Sequence, residues 1–288
     1  MKNKKKIINM SFILPSFIGV IVFYIFPFLD IVKRSFMDDT GKSFVFLDNY
    51  KEIFNNKAFL LAGKNTLEFI SFCVPILIVL SLLLAIFMKG NRENIIYKTI
   101  YLLPMAIPVA ALTGIWQIIF DKNGIFNLIR NFGGMNKIDW LNSKYAILIL
   151  IVTYIWRNFG YTMILWLAGL MTINSEIYEA AAVEGANKRQ IFFKITLPIL
   201  KPFSFTIIVL SILNTFKAFR DIYLLSGDYP DKSIYMIQHI LNNWFTNMQF
   251  GKVTAAAIII LVIIGFIVLS LLYCFKRQKG EKYKLEKL

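Results

Sequence analysis

Residues 69–88 read FISFCVPILIVLSLLLAIFM, a run with no acidic or basic side chain. At 1.5 Å of rise per residue a helix of this length covers about 30 Å, the thickness of the hydrocarbon layer of a bilayer. In that layer only a helix or a closed barrel satisfies every backbone N–H and C=O internally. Five further stretches qualify: Ile8 to Phe28, Thr99 to Phe120, Tyr145 to Leu170, Phe203 to Leu225 and Val253 to Tyr273. The sequence therefore reads as an all-α integral membrane protein with six transmembrane helices, forming a single transmembrane domain over residues 1–288. Pro104 and Pro108 in the third stretch predict a kinked helix whose freed carbonyls are satisfied by neighbouring helices.

Composition agrees. Of 288 residues 57% are hydrophobic and 17% charged, against about 25% charged in a soluble domain. The net charge of +15 comes from Lys and Arg between the apolar runs and at the ends, which is not the single basic face that nucleic acid requires. Cys73 and Cys274 offer neither a disulfide framework nor a metal motif, and His239 has no Cys or acidic partner at ligand spacing, so no metal site is expected. The first stretch follows Lys2, Lys4, Lys5 and Lys6 but is too long for a signal-peptide core, and no small-x-small cleavage site follows it.

With the N-terminus inside, basic residues are about twofold denser in the inner segments than in the outer loops, most of all in the tail from Lys276 to Lys287. Both termini are thus expected in the cytoplasm, which places the long connection over residues 171–202 there too. From Asn174 it reads NSEIYEAAAVEGANKRQIFFKITLPILKP. Asn174 or Ser175 caps a helix with Glu176 in its first turn, Gly185 ends it, and Asn187 caps a second helix, Lys188 to Ile195. Pro198 and Pro202 are expected to stop that second helix before the fifth span. Physics alone leaves two readings open, an amphipathic helix on the membrane surface and a docking element for another protein.

The pattern Glu179, Ala180, Ala181, Glu184, Gly185, then Ile195, Leu197 and Pro198 resembles the EAA loop of bacterial ABC importer permeases. The segments FILPSFIGVIVFYIFPF, FVFLDNYKEIFNNKAF, LSGDYP and FGKVTAAAIII are similar to the first-half permeases of carbohydrate importers, the maltose-type group, so the likeness runs nearly end to end. One departure is local: such permeases usually carry Gly-Gly-Pro after the fifth span, where this chain has Gly227, Asp228, Tyr229 and Pro230.

The resemblance implies the type I ABC importer permease fold with a cytoplasmic EAA coupling helix that fits a cleft on an ATP-binding subunit. It also implies a bacterial inner (cytoplasmic) membrane, a second homologous permease as heterodimer partner, two ATP-binding subunits and an extracytoplasmic solute-binding protein. No GxxxxGK[ST] phosphate loop occurs, so ATP and Mg are expected on the partner, with no cofactor on this chain. A sugar or oligosaccharide is the expected substrate. In related permeases the sugar cavity is lined by the fourth and fifth spans, which here carry Tyr154, Arg157, Asn158, Tyr161, Ser211, Asn214, Thr215 and Lys217. Polar residues at that depth are costly unless they serve a pathway or a packed interior. Lys217 and Asp221, four residues apart, are also read as an internal ion pair. Arg157 with Lys217 suggests an alternative, an anionic substrate such as a sugar phosphate or uronide.

The stretch from Ser233 to Gln249 has apolar residues at helical spacing and is expected at the outer interface, supporting binding-protein docking or acting as an anchor. A membrane-embedded transferase would call for paired carboxylates, a His cluster or a metal site, and a passive channel would not need the EAA pattern. The bias toward Lys, Ile, Asn and Phe suggests a bacterium of low genomic G+C content, one whose binding protein is lipid-anchored if it has no outer membrane.

Overall fold

In the computed structural model, residues 13–89 and 95–285 are described, the side chains of 95–97 and 276–285 excepted. Among them the structure is helical, apart from one isolated bridge between Met37 and Phe44. We number the helices α1 (Ile13–Arg34, with a π stretch at Ile21–Ile25), α2 (Asp48–Asn55), α3 (Lys57–Lys89), α4 (Ile95–Ala106), α5 (Val109–Phe120), α6 (Ile125–Phe132) and α7 (Ala146–Met171). There follow α8 (Ser175–Val183), α9 (Lys188–Ile191), α10 (Leu197–Thr215), α11 (Ala218–Ser226), α12 (Ile237–Thr246) and α13 (Phe250–Leu285).

Five helical stretches are long and apolar enough to cross a membrane: Ile13–Arg34, Lys57–Lys89, Ala146–Met171, Lys188–Ser226 and Phe250–Phe275. A sixth is the bent pair Lys98–Ala106 and Val109–Phe132. The expected start of the first span, before Ile13, lies outside the described residues. At about 1.5 Å per residue α3 is roughly 50 Å long, so its first turns extend beyond a hydrocarbon layer of about 30 Å.

Two expectations about proline change. The third span is not merely kinked: its halves meet at 94° across Ile107 and Pro108. Pro104 stays inside α4, whereas Pro108 is extended (φ −56°, ψ 140°) and caps α5, which is the backbone a residue with no N–H and a fixed φ tolerates. Conversely, Pro198 and Pro202 do not stop the helix before the fifth span. The chain stays helical from Lys188 because the π stretch Phe192–Thr196 widens the turn ahead of Pro198, with Leu197 N–H donating five residues back to Phe192 O. Pro198 then sits in the first turn of α10, where no donor is required, and Pro202 is absorbed within it.

Packing gathers the residues into two units, one up to Leu60 with Ile240–Gly265, the other Leu61–His239 with residues from Phe266 on. In the first, Asn49 Nδ2 donates to Ser35 O and Met37 O at 3.0 and 2.8 Å, Gly251 N–H donates to Asp39 Oδ1 at 3.0 Å, and Lys252 pairs with Glu52 at 2.9 Å. Asp38 accepts the Thr40 hydroxyl and the N–H groups of Lys42 and Ser43, which hold its carboxyl below the ordinary range.

The second unit has two apolar layers. Phe69, Leu77, Leu150, Tyr154, Ile222 and Met236 form one, and Ala85, Met163, Trp166, Leu170, Leu200 and Ile207 the other. α4 crosses α7 so closely that a Cβ on Gly160 would overlap the carbonyl of Tyr101; glycine is what lets the two backbones touch. Asn65 Nδ2 donates to Lys232 O and Tyr235 O, and Thr66 Oγ1 accepts Ile237 N–H, tying the segment after α11 to α3. Of the residues expected at an outer interface, Ile234, Ile237, Ile240 and Trp244 are buried, and only Phe245 and Met248 among the largest are well exposed. The α12 stretch is therefore mostly core, because its apolar face is covered by its own chain. His239 has no exposed surface; its Nδ1 accepts Met236 N–H and its ring lies edge-on to Phe219.

Candidate functional site

Two places gather the residues singled out above. The first is the turn between α8 and α9. Asn174 caps α8, its Oδ1 accepting Glu176 N–H at 3.3 Å. At the other end Gly185 takes the left-handed conformation (φ +81°), with Gly185 N–H bonded to Ala182 O and Ala186 N–H to Ala181 O. That pair of bonds is a Schellman closure, which satisfies carbonyls the helix end would leave bare and calls for glycine at its left-handed position. Asn187 and Gln190 then form a reciprocal capping box, at 2.8 and 2.9 Å, that starts α9. The outcome is a rigid, tightly reversed pair of helices built from local signals.

Within it Glu179, Ala180, Ala182, Val183, Glu184 and Gly185 are exposed, Val183 at 89%. Ala181 instead turns inward and is 8% exposed, so it packs the turn onto the unit and leaves Ala180 and Ala182 as the small exposed residues. Tyr178 braces α8 from behind: its hydroxyl lies 3.2 Å from Thr196 Oγ1 in the π stretch, and Lys89 Nζ sits 4.1 Å from its ring centroid. Ile195, Leu197 and Pro198 are half-buried where that stretch enters α10.

The second place is a cavity of about 200 Å³ lined by Met105, Val109, Tyr154, Arg157, Asn158, Asn214, Lys217, Ala218, Arg220 and Asp221. Arg157 Nη1 donates to Asp221 Oδ1 at 2.8 Å, joining the middle of α7 to α11. This replaces the expected Lys217–Asp221 pair. Residues four apart meet on a regular helix, but the helix is interrupted between α10 and α11 at Phe216 and Lys217, and the guanidinium from α7 takes the carboxylate. Lys217 instead projects as an exposed side chain at the cavity wall.

Of the expected binding residues, Tyr154, Arg157, Asn158, Asn214 and Lys217 come together here. Tyr161, Ser211 and Thr215 are not among the lining residues. Ser211 and Thr215 are buried: Ser211 O accepts the Tyr154 hydroxyl at 3.0 Å, and Thr215 Oγ1 donates to Ile212 O at 2.6 Å. They serve helix packing. Met105 and Val109, which the sequence reading missed, reach the cavity because they flank the break at Pro108; the Pro104 and Pro108 pair was the one signal pointing there.

The family described as the binding-protein-dependent transport system inner membrane component matches residues 69–279, which holds both the α8–α9 turn and the cavity. The chain belongs to that family. This permease is 33% identical over 279 residues to the probable ABC transporter permease protein YesP of Bacillus subtilis, covering 93% of this chain and 90% of that one. It is 30% identical over 288 residues to the arabinooligosaccharides transport system permease protein AraP of the same species, covering 96% and 91%. It shares its fold, with a TM-score of 0.83 at 24% identity, with a chain in the crystal structure of a bacterial ABC transporter involved in the import of the acidic polysaccharide alginate, covering 95% and 96% of the two chains. The permease is thus a multi-pass membrane component of an ABC transport system.

Proposed function

We propose that this permease subunit carries a sugar or short oligosaccharide through the membrane. An extracytoplasmic binding protein delivers the solute, and ATP hydrolysis on partner subunits drives the step. The observation that carries the reading is the cavity at the middle of α7. There a Tyr ring and the amides of Asn158 and Asn214 stand beside a charge pair, Arg157 with Asp221, that is already answered inside the protein. Amides suit hydroxyls and an aromatic face suits ring carbons, and the internal pair answers the charge of Arg157, while Lys217 and Arg220 stand at the same wall as further hydrogen-bond donors. Relatives support it, AraP by its printed arabinooligosaccharides and the permease MalF of Thermococcus litoralis, 27% identical over 271 residues, by its printed trehalose and maltose.

In this reading the exposed Glu179, Ala180, Ala182, Val183 and Glu184 enter a cleft on an ATP-binding subunit. Gly185 fixes the turn, and Ile195, Leu197 and Pro198 pass its displacement into α10. Both termini and the α8–α9 turn are cytoplasmic. Two ATP-binding subunits hold ATP and Mg, and a second, homologous permease completes the pathway. ATPase activity and cofactor binding belong to those partners and not to this chain.

The test is uptake into vesicles holding the permease pair and the ATPase, with the binding protein outside. Labelled arabino- and malto-oligosaccharides should enter with ATP inside, and Asn158→Ala should raise KM while leaving basal ATPase activity unchanged. If neither sugar series enters, or if Asn158→Ala leaves uptake of the transported sugar unchanged, the reading fails.

A further inference from the structure

A second cavity, of about 320 Å³, lies behind the α8–α9 turn and is distinct from the sugar cavity. Its walls are Ile86 and Lys89 at the end of α3, Leu170 at the end of α7, Tyr178 of α8, Lys188 and Ile191 of α9, and Phe192 and Thr196 of the π stretch. We propose that it binds one anionic phospholipid, the acyl chain lying in the recess and the phosphate between Lys89 and Lys188.

Three features argue for this occupant. The recess sits at the last described turn of α3, by Lys89 where the apolar run of that span gives way to a charge, and at the end of α7, Met171, which is the depth of the headgroups. Its wall is almost all carbon, and it continues into exposed apolar residues at the same level, Ile86, Phe87 and Phe193, the last two 70% and 61% exposed. A surface of that kind is open to lipid and closed to a soluble polar ligand. Finally, the charges at its rim are both positive. Among the described residues neither Lys89 nor Lys188 has a carboxylate at ion-pairing distance; Lys89 rests over the Tyr178 ring. Basic pockets between helices at this level are suited to anionic headgroups, each Lys or Arg near the surface contributing about 1 kcal/mol.

The site has a mechanical consequence. Tyr178 lines it while holding Thr196, so a lipid seated there packs against the brace of the coupling turn. Binding does not depend on which solute is carried or on ATP, so its failure and that of the sugar reading are separable.

The permease complex is placed in nanodiscs of phosphatidylcholine mixed with phosphatidylglycerol, and retained lipid is counted by native mass spectrometry. Affinity is then measured by titrating short-chain phosphatidylglycerol. Lys89→Gln/Lys188→Gln should lose one phosphatidylglycerol and bind it about 30-fold more weakly, the equivalent of about 2 kcal/mol. Lys89→Arg/Lys188→Arg should retain it, which separates lost charge from lost fold, and Lys194→Gln, outside the cavity, should match wild type. Equal retention by the Gln pair and wild type overturns the proposal. Equal preference for phosphatidylcholine overturns it, as does displacement by inorganic phosphate alone, which would mark a simple anion site. It is also overturned if lipid is retained only when the ATP-binding subunits are removed, since the partner would then cover the recess.

Discussion

Asp221→Asn leaves the Arg157 guanidinium in the middle of α7 without its carboxylate, and the cost can be worked from the geometry. The two atoms are 2.8 Å apart, and the side chains are 22% and 20% exposed, so the pair is mostly but not wholly withdrawn from water. Unit charges about 4 Å apart attract by about 4 kcal/mol at an effective dielectric constant near 20, before desolvation is set against it. Removing one partner of a buried pair costs about 3–5 kcal/mol, and the residual exposure argues for the lower end, about 3. At about 2–4 °C per kcal/mol, the scaling of soluble domains of comparable length, Asp221→Asn and Arg157→Met should each lower the melting temperature of the purified complex by roughly 6–12 °C. Arg157→Met/Asp221→Leu should recover most of that loss, since an apolar pair replaces the ions without stranding either. A fluorescence melt of wild type, Arg157→Met, Asp221→Leu and the double variant closes the cycle and measures the coupling. Single variants that melt with wild type, or a double variant whose loss is the sum of the two singles, would refute the pairing as a structural tie.

Three more outcomes follow from particular contacts. Gly185→Ala meets no atom within 4 Å but must hold φ +81°, so it should cost about 1 kcal/mol; faster hydrogen exchange at the Ala186 amide and weaker stimulated ATPase activity would register it. Gly160→Ala drives a Cβ into the Tyr101 carbonyl where α4 and α7 touch, and should destabilise by about 3 kcal/mol, read as a lower melting temperature and a lower yield of folded complex. Burial lowers the His239 pKa from 6.5 to about 4, with the negative charge of Asp228 acting in the opposite sense. The folded state then holds fewer protons than the unfolded one, so this contribution, up to about 3 kcal/mol, is complete above pH 6.5 and fades as pH falls toward 4. His239→Phe should flatten that part of the stability–pH profile, measured by melting across the interval.

Much of this was legible in the residues because the signals are local. A run such as Phe69 to Met88 fixes a span by length and hydropathy, and Asn174, Gly185 and Asn187 mark the ends of α8 and α9 by chemistry that acts within a few residues. What failed depended on distant groups or on larger backbone adjustments. Asp221 was assigned to Lys217 by helix spacing, but Arg157, 64 positions earlier in the chain, wins it across a helix crossing. Ser211 and Thr215 looked like ligand groups, yet both are buried away from the cavity, with the Thr215 hydroxyl bonded to Ile212 O, which only the packing reveals. Pro198 resembled a stop because the sequence does not announce the π stretch that accommodates it, and Pro108 resembled a kink because sequence gives no angle. Ala181 fitted the motif but faces inward, a matter of which side of a nine-residue helix meets the unit.

Coupling through the α8–α9 turn is tested most directly at Val183, the exposed residue beside its reversal. With Cys73 and Cys274 replaced, Val183→Cys should be shielded from membrane-impermeant maleimide outside intact cells. It should cross-link to a cysteine in the cleft of the ATP-binding subunit, and the cross-link should abolish ATPase stimulation by loaded binding protein until it is reduced. Labelling of Val183→Cys from outside, or stimulation that persists with the cross-link in place, would contradict it.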